Sequence, residues 1–66
     1  MTPSQLRDAR LLLGLSLDQM AGLLGYSGAT RKHTQYALEH GIRTVRNAQA
    51  RLVEAYLAGY RPDDWP

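Results

Sequence analysis

Glycines divide this chain into short segments in which apolar residues follow helical spacing. Gly14, Gly25, Gly41 and Gly59 each come directly after such a segment, and a glycine in that position is typical of a helix end. No segment shows the alternation of apolar and polar residues that predicts a strand. The sequence therefore predicts an all-α domain, a compact bundle of four to five helices.

The first two predicted helices begin with the same capping pattern. Thr2 and Ser16 stand at the starts, and a glutamine follows three residues later in each case, at Gln5 and Gln19. In such a capping box, the side chain of each residue satisfies a backbone N–H group of the other, which otherwise lacks a partner in the first turn. We therefore expect one helix to begin just after Thr2 and a second just after Ser16.

A third helix is predicted from Thr30 to about His40, with a core seam of Thr34, Ala37 and Leu38. Its other side would carry Lys32, Gln35, Tyr36 and Glu39. A helix with a thin apolar seam and a polar, basic outer face is typical of one that presents side chains outward. A fourth helix is predicted over about residues 45–58. Its expected core positions are Val45, Ala48, Leu52, Ala55 and Tyr56.

The size and composition of the chain limit its function. One domain of 66 residues buries only about 60% of its unfolded surface, which weighs against a deep catalytic cavity. The chain has no cysteine, so neither disulfides nor thiolate zinc sites are available. No apolar stretch approaches the roughly 20 residues of a membrane helix. We expect a cytoplasmic protein that is not an enzyme, with no membrane, cofactor or small-molecule ligand.

Positive charge is concentrated in the middle of the chain. Residues 28–51 contain five lysines or arginines against Glu39 alone, whereas the segments on either side have no excess of positive charge. Such a basic face is expected of a protein that binds a polyanion. A solvated helix face is the alternative reading, and the charges alone do not decide between the two.

A metal site on His33 and His40 is not expected. Their spacing of seven residues puts them on nearly the same helix face but about 10 Å apart along the axis. A metal ion needs its ligands about 2 Å away. Two surface histidines are the simpler interpretation.

Three segments resemble the helix-turn-helix of lambda-repressor-like regulators of the Cro or XRE type. These are LSLDQMA at 15–21, LLGYS at 23–27 and LEHG at 38–41. The resemblance covers about residues 6–57 and includes the small phage-linked regulators, among them anti-CRISPR-associated repressors. It implies that the third helix enters the major groove of DNA while the second lies across the phosphate backbone.

The chain departs from the family pattern between Ser27 and Leu38. This segment holds about four residues more than is usual in the family, or about one helical turn. Either the turn is longer, or the third helix begins with an extra turn. The resemblance therefore leaves the register of the third helix open.

The resemblance implies sequence-specific binding of double-stranded DNA by a transcriptional repressor that acts as a homodimer on a palindromic operator. The candidate base-reading residues are Arg31, Lys32, His33, Gln35 and Tyr36. The candidate phosphate-binding residues are Ser16, Gln19, Arg43, Thr44 and Arg46. The alternative is that a helix-turn-helix fold serves as a protein–protein interaction module without DNA binding, since fold does not fix function.

Residues 1–59 are predicted to form the helix-turn-helix DNA-binding domain. Residues 60–66 contain two prolines and are predicted to form an irregular tail that packs on the core or at a dimer interface. Leu57, Tyr60 and Trp65 are the candidate dimer contacts, because they offer apolar area close to the end of the fourth helix.

Overall fold

The structure, a computed structural model, describes residues 1–66 and contains four α-helices and no strand. Helix α1 spans Pro3–Leu12, α2 spans Leu17–Leu23, α3 spans Arg31–Glu39 and α4 spans Asn47–Leu57. The predicted all-α architecture is confirmed, with the lower of the two expected numbers of helices. None of the four is long and apolar enough to cross a lipid bilayer.

Side-chain caps determine where α1 and α2 begin. Thr2 Oγ1 accepts a hydrogen bond from the Gln5 backbone N–H at 3.2 Å, and Gln5 Oε1 accepts one from the Thr2 N–H at 2.8 Å. Ser16 and Gln19 form the same reciprocal pair at 3.1 and 3.0 Å. Both predicted capping boxes are confirmed, and they satisfy N–H groups that have no partner within the helix.

Helix α4 begins slightly later than the spacing of apolar residues predicts. Arg46 is its N-cap, and Gln49 Oε1 accepts a hydrogen bond from the Arg46 backbone N–H at 3.1 Å. Gln49, Val53 and Tyr56 form the buried stripe, whereas Ala48, an expected core position, is exposed. The buried stripe contains a glutamine, which a search for apolar periodicity passes over.

The apolar core is formed by side chains from all four helices, from the segment between α1 and α2 and from the end of α2. Its members are Leu6, Ala9, Leu15, Met20, Leu24, Leu38 and Val53. The tail covers one side of this core, because Trp65 lies edge-on against the Tyr56 ring with their centroids 5.1 Å apart. The Arg61 guanidinium lies over the Trp65 ring, 4.2 Å from its centroid, and a cation over an indole face adds a further attraction.

A polar cluster of Arg10, Gln35 and Glu39 joins α1 to α3 beside this core. Arg10 donates from Nε and Nη2 to the two carboxylate oxygens of Glu39, at 2.8 and 3.0 Å. Its Nη1 donates to the Leu15 carbonyl oxygen at 3.1 Å. Gln35 Nε2 donates to Glu39 Oε2 at 2.7 Å. The Glu39 side chain is only 2% exposed, so its charge depends on these partners.

The Arg10–Gln35–Glu39 cluster fixes the rotation of α3 about its own axis. Gln35 and Glu39 are four residues apart and therefore share one face of the helix. Both were expected on the outer side of the third helix, and both are buried. That expectation was wrong because Arg10, far away in sequence, supplies a charged partner inside the protein.

We expect Arg10→Ala to lower the free energy of unfolding by about 3–5 kcal/mol, because it leaves the buried Glu39 carboxylate without its ion-pair partner. Urea denaturation followed by circular dichroism measures this loss. Arg7→Ala is the matched control, since Arg7 is an exposed arginine on the same helix with no ion pair. Equal midpoints for the two variants would contradict the structural role of the cluster.

Candidate nucleic-acid interface

The side of α3 next to the polar cluster is open to solvent. Lys32, His33 and Tyr36 of α3 and its C-cap His40 are all exposed there, within an arc of about 100° around the helix axis at 3.6 residues per turn. We call these four residues the α3 outer face. The Tyr36 ring stacks on the His40 ring, with centroids 3.9 Å apart and planes inclined by 28°. The face thus combines the ammonium group of Lys32 with three aromatic rings that carry hydrogen-bonding atoms.

The sequence-predicted base readers fall into different environments. Lys32, His33 and Tyr36 lie on the α3 outer face. His40 was missed as a candidate, although its spacing of four residues from Tyr36 was the signal that could have placed it there.

The prediction that Gln35 reads a base is wrong for this structure. Its side chain is 0% exposed, and its Nε2 donates to Glu39. Its Oε1 is the one buried side-chain oxygen or nitrogen without a hydrogen-bond partner. A side chain enclosed in this way cannot reach a base edge, so its role is in the core.

Arg31 connects the beginning of α3 to the beginning of α2. Its Nε and Nη2 donate to the two carboxylate oxygens of Asp18 at 2.9 and 2.8 Å. The guanidinium lies so close to Gly22 that a Cβ there would come within 2.6 Å of Arg31 Nη1. Arg31 therefore connects α3 to α2 through its ion pair with Asp18, which we call the Arg31–Asp18 bracket. The charge of Arg31 is compensated by Asp18.

The bracket changes the ionisation of Asp18. The hydrogen bonds from Arg31 lower the pKa of this carboxyl below its ordinary value of 3.8, while partial desolvation acts in the opposite direction. A lowered folded-state pKa means that the pair stabilises the fold above the ordinary pKa. That stabilisation is lost as the pH falls through the folded-state value.

We expect Arg31→Ala to raise the pKa of Asp18 toward 3.8, because the carboxylate loses its two hydrogen bonds. NMR titration of the Asp18 carboxyl carbon measures this shift. Lys32→Ala is the matched control, since Lys32 acts on Asp18 only through its charge and is the weakest of the causes. An Asp18 pKa that rises no more in Arg31→Ala than in Lys32→Ala would contradict the bracket.

The candidate phosphate-binding residues lie at two places. Ser16 and Gln19 are exposed at the start of α2, where their side chains are engaged in the capping box. Arg43, Thr44 and Arg46 are exposed on the link between α3 and α4. None of the three takes part in an ion pair, so the two arginines carry uncompensated positive charge.

The three candidate dimer contacts differ in their exposure to solvent. Leu57 and Tyr60 are exposed, whereas Trp65 is partly buried against its own core. Leu12, which is 79% exposed, lines a shallow groove with Leu57 and Met1. This groove extends the apolar surface from the end of α4 to α1.

Neither metal chemistry nor similarity to a known protein adds to this description. No group of three or more histidine or acidic side chains is arranged to hold a metal ion. In comparisons with known proteins, no family model, curated protein or solved structure matches the chain. A functional assignment therefore depends on the α3 outer face, the Arg31–Asp18 bracket and the link between α3 and α4 with Arg43, Thr44 and Arg46, which we call the basic link.

Proposed function

We propose that this chain is a lambda-repressor-like helix-turn-helix protein that binds double-stranded DNA in a sequence-specific manner. In this proposal α2, the turn and α3 form the DNA-binding unit, and the protein acts as a transcriptional repressor by occupying its operator. Its role is binding without catalysis. The observation that carries the proposal is the exposure of Lys32, His33, Tyr36 and His40 together on one face of α3.

The α3 outer face has the chemistry needed to read a major groove. An α-helix is about 10–12 Å across, and the major groove is about 12 Å wide. Lys32 supplies donors for guanine O6 and N7, and the ring nitrogens of His33 and His40 supply donors or acceptors for base edges. The Tyr36 ring offers an apolar surface for a thymine methyl group. The polar cluster beside this face limits the rotation of α3, which supports a defined set of base contacts.

The basic link supplies contacts that are independent of sequence. Arg43 is exposed in the link after α3, Arg46 is exposed at the N-cap of α4, and Thr44 between them offers a hydroxyl donor. Contacts of this kind to phosphates fix the position of a protein on the duplex rather than its sequence preference. In a helix-turn-helix protein, the helix before the recognition helix crosses the DNA backbone. We therefore expect Ser16 and Gln19, at the start of α2, to make a second set of phosphate contacts.

A homodimer on a palindromic operator is part of the proposal. A single module of this size covers little DNA, and two half-sites about one helical turn apart multiply both affinity and specificity. Leu57 and Tyr60 remain available for the dimer contact. Trp65 contributes indirectly, because it is already packed on Tyr56.

Selection of bound sequences from a random duplex pool, followed by binding measured across salt concentrations, tests the proposal. We expect a palindromic consensus and an affinity that falls steeply with salt, as contacts to phosphate require. An absence of duplex binding even at low salt would overturn the proposal. That result would favour the alternative of a protein–protein interaction module, in which the exposed Ile42 and Tyr36 would contact the partner protein.

Substitutions should separate base reading from phosphate contact. Lys32→Ala should weaken binding to the selected site by about 1–3 kcal/mol and relax the preference at one base position. Arg46→Ala should weaken all duplexes alike and reduce the salt slope by about one unit. Arg7→Ala, on the exposed face of α1, is the charge control and should change neither quantity. An Arg46→Ala protein with unchanged affinity and slope would remove Arg46 from the interface.

A further inference from the structure

Tyr26, in the turn after α2, joins that turn to the basic link. Its ring is half-buried and packs against the core, which holds it in place. The Arg43 guanidinium lies over the ring, 5.5 Å from the centroid. The Tyr26 hydroxyl oxygen is 3.1 Å from Gln49 Nε2, on the first turn of α4. We call Tyr26, Arg43 and Gln49 the Tyr26 corner.

The hydrogen bonds of Gln49 determine which way the Tyr26 hydroxyl group points. Gln49 Oε1 accepts from the Arg46 backbone N–H, so the amide nitrogen must lie on the other side. Gln49 Nε2 then donates to the Leu24 carbonyl oxygen at 3.4 Å and to the Tyr26 hydroxyl oxygen at 3.1 Å. Tyr26 is therefore the acceptor in this contact, because an amide nitrogen has no lone pair to offer.

The Tyr26 proton is consequently free for another partner. None of the hydrogen bonds in the structure uses the Tyr26 hydroxyl as a donor to a protein acceptor. Arg43, beside the same ring, is exposed and has no acidic partner. The same tyrosine thus has a free O–H donor, whose oxygen is held by Gln49, and an unpaired guanidinium over its ring.

We propose that the Tyr26 corner is a binding site for one phosphodiester group of the DNA backbone. The Tyr26 hydroxyl donates to a phosphate oxygen, while Arg43 supplies the charge and a second donor. This inference rests on the proposed DNA-binding function and adds Tyr26 as a contact residue, with Gln49 as the positioning residue behind it. A hydrogen bond to a charged group is stronger than one between neutral groups, so a single hydroxyl has a measurable effect.

Tyr26→Phe tests the hydroxyl separately from the ring, because phenylalanine retains both the core packing and the surface under Arg43. We expect its affinity for duplex DNA to fall about tenfold, to the same extent on all sequences. The salt slope should stay unchanged, since a neutral donor displaces no counterion. Arg43→Ala should instead reduce the slope by about 0.9.

Tyr56→Phe is the matched control for loss of a tyrosine hydroxyl. That hydroxyl donates to the Leu23 carbonyl oxygen inside the protein at 3.4 Å, so its removal should leave the affinity of the folded protein unchanged. Thermal unfolding of each variant shows whether the folded state is retained. An equal loss of affinity in Tyr26→Phe and Tyr56→Phe would overturn the inference, because it would point to a structural effect.

Duplexes with a neutral methylphosphonate at single positions identify the phosphate itself. At one position, the affinity lost when the methylphosphonate and Tyr26→Phe are combined should be smaller than the product of the two separate losses, because both changes remove the same contact. Arg43→Ala, an exposed substitution that keeps the core intact, should couple to the same position. Multiplicative losses at every position would overturn the inference.

The same measurements distinguish failure of the inference from failure of the proposed function. A wild-type protein that binds no duplex at low salt would overturn both. A wild-type protein that binds with a steep salt dependence, together with a Tyr26→Phe variant of equal affinity, would overturn the Tyr26 phosphate site alone.

Discussion

The largely buried ion pair between Arg10 and Glu39 is the interaction on which the arrangement of the other elements depends. Removing two charges from water is costly, and the cost is recovered only when the geometry is good and the remaining hydrogen-bonding positions are filled. Here the pair is bidentate, and Leu15 and Gln35 supply further partners. Because a guanidinium can donate two hydrogen bonds to one carboxylate in only a few orientations, α3 is held to α1 in one rotational setting.

This setting explains why α3 has two chemically different faces that are both polar. Gln35 and Glu39 face inward to Arg10, and Lys32 and Tyr36 face outward. The Arg31–Asp18 bracket adds a second restraint at the other end of the helix. The two ion pairs join α3 to its neighbours at both ends, as the proposed reading of base edges requires.

The parts of the fold that could be predicted from the sequence are those determined by neighbouring residues. The starts of α1 and α2 follow from capping boxes whose members are three residues apart, and the ends follow from glycine. The inward faces of α3 and α4 were assigned less well, because Gln35, Glu39 and Gln49 are buried. Their burial depends on Arg10 and on the Leu24 carbonyl, partners that local spacing does not reveal.

The candidate site shows the same division. Exposed residues such as Lys32, His33, Arg43 and Arg46 were found because charge and helical spacing are visible in the sequence. Tyr26 was not found, since an aromatic residue in a turn gives no sign of the arginine above its ring. A small net charge of +2 is compatible with DNA binding because Asp18 and Glu39 are each engaged by an arginine, while the link arginines are unpaired.

NMR chemical-shift mapping with a duplex that carries one half-site of the selected sequence tests most directly whether the α3 outer face is the surface that binds DNA, because a single half-site does not assemble the proposed dimer. The largest shifts on titration should fall on the four residues of that face and on the basic link, and the groove between α1 and α4 around Leu12 should be unaffected by contact with DNA. The shifts of Gln35 should be small, since its side chain is enclosed. Shifts concentrated in the α1–α4 groove, with the α3 outer face unchanged, would contradict DNA recognition by α3.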